Sequence, residues 1–197
     1  WDGHEGSQRK RSMNKDYKAG RKPVRFNRRM IELPEEQQAA NRGYQQIRLM
    51  EYLNLMPVIQ LVADYTEADD IIAHVVQTRH YEGWNKIIVS SDKDFFQLCA
   101  DDISVHRPIQ KKTLNKQSII DEFKIHPKNF ALARAIAGDK SDNLPGVRGA
   151  GLKTIAKRFP YLIREDIYEV GDIIRDCVMV GKKMKIHENI ASSEQLL

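Results

Sequence analysis

The stretch Lys86-Ile87-Ile88-Val89-Ser90-Ser91-Asp92-Lys93-Asp94 decides the fold of this chain. It opens with apolar, partly β-branched residues, which predict a buried strand over residues 86–91. Two carboxylates follow at the point where that strand ends. Because ligands of parallel α/β sheets bind at the carboxyl ends of strands, the pattern places a candidate site there.

Working outward, a second apolar run at residues 58–63 predicts a preceding strand. The residues between the two strands, 67–81, have the spacing of an amphipathic helix, with its inward positions at Ile71, Ile72, Val75 and Val76. Strand, helix and strand in this order predict a βαβ unit, and therefore an α/β fold with a parallel sheet flanked by helices. A weaker strand is expected at residues 103–107.

Helical spacing predicts further helices over residues 35–55, 119–123, 129–137 and 152–159. The apolar positions of the first of these are Tyr44, Ile47, Leu49, Met50 and Leu53.

Charge is distributed unevenly along the chain. Residues 1–30 hold ten Lys or Arg against three acidic residues, although the net charge of the whole chain is only +5. This asymmetry fits a polyanionic partner at one end, or a solvated basic tail. No apolar run approaches the roughly 18 residues of a membrane span, so a membrane partner is not expected. Cys99 and Cys177 match no zinc spacing.

Three acidic clusters carry the candidate chemistry. They are Glu67-Ala68-Asp69-Asp70, Ser91-Asp92-Lys93-Asp94 and Gly138-Asp139-Lys140-Ser141-Asp142-Asn143. Thr66 with Asp69, and Ser91 with Asp94, also match the spacing of helix capping boxes, and the third cluster also fits an ordinary polar turn. Carboxylates at the ends of adjacent strands, without His, suit Mg²⁺ or Mn²⁺ rather than zinc.

A glycine-rich stretch, Gly146-Val147-Arg148-Gly149-Ala150-Gly151, follows the third cluster. It predicts a tight hairpin that feeds a helix and brings backbone N–H groups close to a phosphate, with Lys153 and Lys157 placed to reinforce it. The alternative is a helix-loop-helix whose glycines only satisfy turn geometry.

Together, in this order and spacing, the acidic clusters and the hairpin resemble the 5′-nuclease family of flap endonucleases, bacteriophage 5′-3′ exonucleases and the 5′-nuclease domain of bacterial DNA polymerase I. The phage and bacterial members are more similar, because Asp69-Asp70 stands where eukaryotic members have a second Glu-Ala pair. The resemblance implies a PIN-like parallel sheet flanked by helices over residues 1–128. It also implies a helical region at 129–197 that contains a helix-hairpin-helix extended to a helix-three-turn-helix (H3TH).

The same resemblance implies a carboxylate centre for two divalent ions, Mg²⁺ or Mn²⁺, which activate a water and stabilise the leaving oxygen. The implied ligands are Asp2, Glu67, Asp69, Asp70, Asp92 and Asp94 at an inner site, with Asp139 and Asp142 completing a second. The family also carries an Asp on a first strand upstream of the position of Asp2. We therefore expect that the sequence is truncated at its amino end, which bears on its activity.

Tyr17-Lys18-Ala19-Gly20-Arg21 resembles part of the family's helical arch, which would cover about residues 3–34. The resemblance implies that Lys18 and Arg21 neutralise charge at the scissile phosphate and that Tyr17 stacks on a base. The alternative is a flexible basic loop that only adds affinity. The resemblance implies DNA-binding residues in both the arch and the hairpin. They are Arg9, Arg11, Tyr17, Lys18 and Arg21 in the arch, and Gly146, Gly149, Gly151, Lys153, Thr154 and Lys157 in the hairpin. The family also often places a monovalent cation, such as K⁺, in that hairpin.

The expected function is a structure-dependent 5′-3′ nuclease for DNA with a 5′ flap or junction, or for an RNA–DNA hybrid. We expect a monomer in the bacterial cytoplasm, encoded by a bacterium or a phage. Two alternatives remain open. A PIN-type ribonuclease shares the carboxylates but ordinarily lacks the glycine hairpin, and a DNA-junction binding module has the hairpin without the chemistry.

Overall fold

The computed structural model describes residues 1–19, 34–180 and 185–193. The chain divides into two compact units, residues 1–71 and 72–197. No helix in the described part of the chain is long and apolar enough to cross a membrane.

The first unit contains the helices α1 (Gln8–Met13) and α2 (Glu35–Asn54), and it ends in the first turn of α3 (Ala68–Gln77). The helix predicted at residues 35–55 is therefore confirmed. Its apolar positions are open to solvent to an unusual degree, since Tyr44, Ile47 and Leu49 are all exposed.

The strand predicted at residues 58–63 is wrong, and with it the βαβ unit. Among the described residues this segment joins no sheet, and Val58, Ile59, Leu61 and Val62 are exposed. A strand requires a neighbour for its backbone hydrogen bonds, which an apolar run by itself does not supply. Here the carbonyl of Leu61 accepts a hydrogen bond from the amino terminus of Trp1 instead, at 2.8 Å.

The second unit is built on a three-stranded sheet in the order β1 (Lys86–Val89), β2 (Ile103–Arg107) and β3 (Lys112–Leu114). Strands β1 and β2 are parallel, with Lys86 opposite Ile103, whereas β3 runs antiparallel to β2. Both strands predicted in this region are confirmed, and β3 is an addition. The connection from β1 to β2 carries a short 3-10 helix, Asp94–Leu98, as parallel pairing requires a crossover.

Burial of β1 is one-sided, which corrects the expectation of a fully buried strand. Ile88 is 4% exposed, whereas its neighbours Ile87 and Val89 are 63% and 67% exposed. Successive side chains of a strand point to opposite faces, and only the face of Ile88 packs on the core.

Helices α4 (Lys116–Phe123), α5 (Phe130–Ala137), α6 (Leu152–Arg158), α7 (Val170–Val180) and α8 (Lys185–Ala191) complete this unit. The predictions at 119–123, 129–137 and 152–159 are thereby confirmed, and the helix predicted at 67–81 is α3 followed by a short 3-10 helix at Arg79–Tyr81. Phe96, Phe123 and Phe130 pack against one another at centroid distances of 5.3–5.6 Å and form the aromatic centre of the core.

A buried polar side chain fixes the loop between α6 and α7 to the start of α5. Asn129 is fully buried, and its amide donates to the carbonyls of Leu162, Arg164 and Asp166 at 2.9–3.2 Å. Its side-chain oxygen accepts from the backbone N–H of Tyr168 at 3.1 Å. Because every polar atom of this buried amide is paired, the contact costs little and holds four loop residues in place.

Candidate functional site

Asp2 is placed by a close approach between two backbone segments of the first unit. The N–H of Gly3 donates to the carbonyl of Thr66 at 2.9 Å, and a Cβ on Gly3 would lie 1.7 Å from the carbonyl oxygen of Ala63. Only glycine permits this approach. It brings Oδ1 of Asp2 to the backbone N–H of Ala68, at 2.8 Å, so that Asp2 caps the start of α3.

Glu67 is the most enclosed carboxylate among the residues of the first unit whose burial the structure describes, with 4% exposure. Lys10 and Lys18 both donate to it, Lys18 at 2.8 Å, and the hydroxyl of Tyr17 lies 3.5 Å away. Burial alone would raise the pKa of Glu67, but the hydrogen bonds from the two lysines hold that pKa below its usual value. Lys10 also lies 3.8 Å from Asp70, so the lysine connects two of the predicted ligands.

The capping alternative for this cluster is only partly met. The hydroxyl of Thr66 donates to the carbonyl of Asp64 at 3.1 Å, and the cap comes from Asp2 instead. Asp69 and Asp70 do lie in the first turn of α3, where the helix dipole favours negative charge.

In the second unit, Asp92 and Asp94 follow β1 as predicted. The N–H of Asp92 donates to the hydroxyl oxygen of Ser90 at 3.1 Å, and Oδ1 of Asp92 accepts from the N–H of Asp94 at 3.0 Å. These local bonds turn the chain sharply at the carboxyl end of the strand. Both carboxylates therefore lie at the edge of the sheet where ligands of α/β folds bind.

Arg134 on α5 joins the second and third clusters. Its Nε donates to Oδ1 of Asp94 at 3.0 Å, a second guanidinium nitrogen donates to Oδ2 of Asp139, and the third lies 3.4 Å from the carbonyl of Gly138. The other oxygen of Asp139 accepts from the N–H and the hydroxyl of Ser141 at 2.8 and 2.6 Å. One cation thus holds two predicted ligands that are far apart in sequence.

The two carboxylates at Arg134 differ in acidity. Burial, reinforced by Asp92, raises the pKa of Asp94 despite the neighbouring guanidinium. Burial also opposes ionisation of Asp139, but the hydrogen bonds from Ser141 and Arg134 hold the pKa of Asp139 below its usual value. Asp142, the remaining residue of the third cluster, ends the 3-10 helix Lys140–Asp142 and is half-buried.

The predicted glycine hairpin connects α5 to α6 and is held by backbone contacts. Asp139 and Leu144 pair as an antiparallel bridge, and the N–H of Val147 donates to the carbonyl of Ile136 at 2.9 Å. A Cβ on Gly138 would lie 2.2 Å from the nitrogen of Gly146, so both positions require glycine.

Of the other hairpin residues predicted to bind DNA, two glycines lie in the turn before α6 and three residues lie on α6 itself. Gly149 has φ +86°, and Gly151 caps α6. On α6, Lys153 and Lys157 are exposed one helical turn apart, whereas Thr154 is half-buried.

The remaining arch residues are only partly within the described chain. Arg9 and Arg11 are exposed on α1, while the ring of Tyr17 is 7% exposed and lies beside Lys18 and Glu67. Arg21 lies outside the described residues, so its role stays a prediction.

Two residues that the sequence analysis did not select contact the predicted ligands. Arg134 was missed because a single Arg inside a helix carries no motif, although its position five residues before Asp139 is a usable signal. Lys10 was missed because it stands between two other basic residues, Arg9 and Arg11. Only the helical geometry of α1 determines that Lys10, and neither arginine, faces Glu67.

The donor set fits a hard divalent cation in its chemistry, since all predicted ligands are carboxylates. Among the described residues, however, no three His, Cys, Asp or Glu side chains are arranged to hold an ion. Lys10 and Lys18 in the first unit, and Arg134 in the second, donate to these carboxylates instead. A side-chain cation therefore compensates charge where the predicted ligands gather.

Comparison with known proteins gives consistent matches. Residues 1–124 match the model of the 5′-3′ exonuclease N-terminal, resolvase-like domain. A 5′-3′ exonuclease of Aquifex aeolicus is 34% identical over 106 residues, which cover 54% of this chain and 37% of that protein. The thermostable DNA polymerase I of Thermus aquaticus is 34% identical over 142 residues, 72% of this chain and 15% of that protein. The chain thus spans less than half the length of these curated relatives.

Two solved structures share the fold. A flap endonuclease of bacteriophage T5, in a pseudo-enzyme–product complex with DNA and metal ions, superposes with a TM-score of 0.72 at 22% identity over 99% of this chain and 68% of that chain. A zinc-bound T5 5′-exonuclease gives 0.71 at 23% identity, with the same coverage. At such identity the likeness shows the fold, which is PIN-like α/β.

Proposed function

The chain belongs to the 5′-3′ exonuclease family, and from that premise we propose that it is a structure-dependent 5′-3′ nuclease. It hydrolyses phosphodiester bonds of DNA, or of an RNA strand in an RNA–DNA hybrid, near junctions of single and double strands. The observation that carries this proposal is the arrangement of Asp92, Asp94 and Asp139 at the carboxyl end of β1, linked through Arg134. Carboxylates at this edge of a sheet supply the oxygen ligands that a hard divalent cation takes, at the place where ligands of α/β folds bind.

The proposed cofactor is a pair of Mg²⁺ ions, with Mn²⁺ as a substitute. The residues that would hold them are Asp2, Glu67, Asp69 and Asp70 in the first unit, and Asp92, Asp94, Asp139 and Asp142 in the second. When bound, such ions lower the pKa of a water and neutralise charge on the phosphate. The carboxylates hold the ions through oxygen atoms. Ser141 and Arg134 keep the carboxylate of Asp139 oriented, and Arg134 does the same for Asp94.

The proposed substrate contacts come from cationic side chains. Lys18 and Arg21 neutralise charge at the scissile phosphate, while Arg9 and Arg11 hold the single strand. The expectation that Tyr17 stacks on a base is not met, because its ring is buried beside Lys18 and Glu67. The hairpin, which we assign to an H3TH region within residues 129–197, binds the duplex without sequence preference through its backbone and through Lys153 and Lys157. A K⁺ ion in that hairpin, monomeric action and a site of action in the bacterial cytoplasm belong to the same proposal.

The deciding experiment is cleavage of an end-labelled 5′-flap duplex by the purified chain, in Mg²⁺ and in EDTA. We expect cleavage only in Mg²⁺, and a loss of at least about a hundredfold in Asp92→Asn, because a neutral amide is a weaker metal ligand than a carboxylate. The matched control is Asp121→Asn on α4, whose carboxylate accepts from the side chain of Gln117 at 2.9 Å. This variant should cleave like the unmodified chain.

Binding of the flap duplex without cleavage in Mg²⁺ and in Mn²⁺ would identify a junction-binding module instead. Equal cleavage by the two Asp→Asn variants would remove Asp92 from the metal site. Cleavage of single-stranded RNA in preference to the flap duplex would point to a ribonuclease.

A further inference from the structure

Arg134 is held in one orientation by its helix and by three acceptors. Its neighbours Ala133 and Ile136 are fully buried, which fixes α5 on the core. The guanidinium, with 19% of the side chain exposed, reaches Asp94, Asp139 and the carbonyl of Gly138. A planar fork that meets two carboxylates at once is a geometry that Arg provides and Lys does not.

The contacts of Arg134 leave one oxygen of the Asp94–Asp139 carboxylate pair open to a further cation. Arg134 donates to Oδ1 of Asp94, and the other oxygen of that carboxylate accepts no hydrogen bond from the residues that the structure describes. Half of the Asp94 side chain is exposed, so an ion from solvent can reach it. The guanidinium compensates one of the two negative charges, and the pair keeps a net charge of about −1.

Two effects of Arg134 on a divalent ion oppose each other. The fork pre-assembles the two carboxylates, which favours binding, while its positive charge repels the ion. Ordering two short Asp side chains raises the affinity for the ion by about tenfold at most. Repulsion between a single and a double charge a few ångströms apart exceeds that at the effective dielectric of a half-exposed site. The charge effect therefore decides the sign.

We propose that Arg134 is a positioning residue and the resident counter-cation of the Asp94–Asp139 pair, which assembles the pair without metal and weakens its hold on a divalent ion. The ion is then held firmly only when the phosphate of a nucleic acid adds negative charge. This inference rests on the proposed function, since it concerns the metal ions of that reaction. It makes metal occupancy of this pair depend on the substrate.

The test is calorimetric titration of the full chain with Mn²⁺ in the absence of nucleic acid. Arg134→Gln removes the charge and should bind Mn²⁺ on the order of tenfold more tightly, because the repulsion is gone. Arg134→Lys keeps the charge but loses the fork, so its Mn²⁺ affinity should fall, by less than about tenfold, while its metal-free Tm also falls. Arg175→Gln, which breaks an exposed Arg–Asp pair on α7, is the matched control and should leave the affinity unchanged.

A second titration measures the coupling to substrate. With a 5′-flap duplex that carries a non-cleavable linkage, Mn²⁺ affinity should rise by on the order of tenfold in the unmodified chain, to at least the affinity that Arg134→Gln has without the duplex, because the phosphate offsets the charge of Arg134. Circular dichroism of each variant, with and without Mn²⁺, reports whether it is folded. If Arg134→Gln does not fold, the comparison of Arg134→Lys with the unmodified chain decides the proposal.

The outcomes separate the two proposals. If the unmodified chain binds Mn²⁺ and Asp139→Asn weakens that binding, while Arg134→Gln binds no more tightly than the unmodified chain, the role of Arg134 is overturned and the nuclease proposal stands. A changed Mn²⁺ affinity in Arg134→Lys of tenfold or more also overturns it. If the unmodified chain binds no Mn²⁺ with or without the flap duplex, both proposals fail.

Discussion

At the scale of single residues, some of the candidate ligands are held by side-chain cations. Glu67 is the clearest case, because it accepts from Lys10 and Lys18 while it is almost fully buried. Arg134 does the same for Asp94 and Asp139. A buried carboxylate that loses its partners, or a cation that loses its carboxylate, is costly in a medium of low dielectric constant. These pairs therefore contribute to folding as well as to the candidate site.

We predict that Glu67→Gln lowers the free energy of unfolding by about 1–2 kcal/mol, because two lysines lose a charged acceptor and Lys10 remains partly solvated. Urea denaturation at neutral pH measures the change. Glu51→Gln is the matched control, since Glu51 pairs with Arg48 on an exposed turn of α2. It should cost less than about 0.5 kcal/mol. Equal losses in the two variants would contradict a special role for the enclosed pair.

The same variant gives a pH signature. The two lysines hold the pKa of Glu67 below its usual 4.5 against the opposing effect of burial. A lowered folded-state pKa means that the stabilisation is complete above about pH 4.5 and is lost as the pH falls through the folded-state value. The difference in stability between the unmodified chain and Glu67→Gln should therefore stay constant well above pH 4.5 and shrink as the pH falls below it. A difference that also stays constant below pH 4.5 would exclude the ion pair as its source.

At the scale of elements, the hairpin between α5 and α6 depends on two backbones in contact. A Cβ on Gly146 would lie 2.0 Å from the carbonyl oxygen of Ala137, which belongs to the backbone and cannot rotate away. The third acidic cluster begins directly after the last residue of α5, so the contact between Gly146 and Ala137 also positions Asp139. Stability of the hairpin and geometry of the candidate ligand are thereby coupled.

We predict that Gly146→Ala costs about 3 kcal/mol, because the added methyl forces the hairpin away from α5. Gly43→Ala is the matched control. Gly43 lies inside α2, where nothing stands within 4 Å of an added Cβ, so this change should stabilise the chain by up to about 1 kcal/mol. Thermal unfolding followed by circular dichroism compares the two. A loss in Gly146→Ala below about 0.5 kcal/mol would contradict the close approach.

The elements also show how far sequence reasoning reaches. Helices α4, α5 and α6 and strands β1 and β2 are predicted because their periodicity reflects a face that packs on the core. The segment 58–63 has the composition of a strand but no pairing among the described residues, and pairing is a non-local property that composition does not encode. β3 has three residues, too few for its alternation to be recognised.

The candidate site divides in the same way. The acidic clusters are found from sequence because they are contiguous. The ion pairs of Lys10 and Arg134 are not found from sequence, because only the fold brings their partners together. Lys10 lies 57 positions from Glu67, and Arg134 lies 40 positions from Asp94.

At the scale of the whole molecule, the net charge of +5 gives any nucleic acid a general attraction. Localised phosphate contacts make a different contribution from that general attraction, because each contact releases a condensed counterion. The logarithm of the binding constant then falls with the logarithm of salt concentration with a slope of about −0.9 for each contact. A pair of variants with the same net charge can therefore separate a specific contact surface from overall charge.

We predict that the double variant Lys153→Gln/Lys157→Gln makes the salt slope of duplex binding less steep by about 1.8, because two phosphate contacts of the hairpin are lost. Fluorescence anisotropy of a labelled duplex, in EDTA over a series of salt concentrations, measures the slope. The control is Lys111→Gln/Lys112→Gln at the turn into β3, which removes the same charge from another exposed site. It should weaken binding only slightly and leave the slope nearly unchanged. Equal slopes in the two double variants would mean that overall charge, and not the hairpin, binds the duplex.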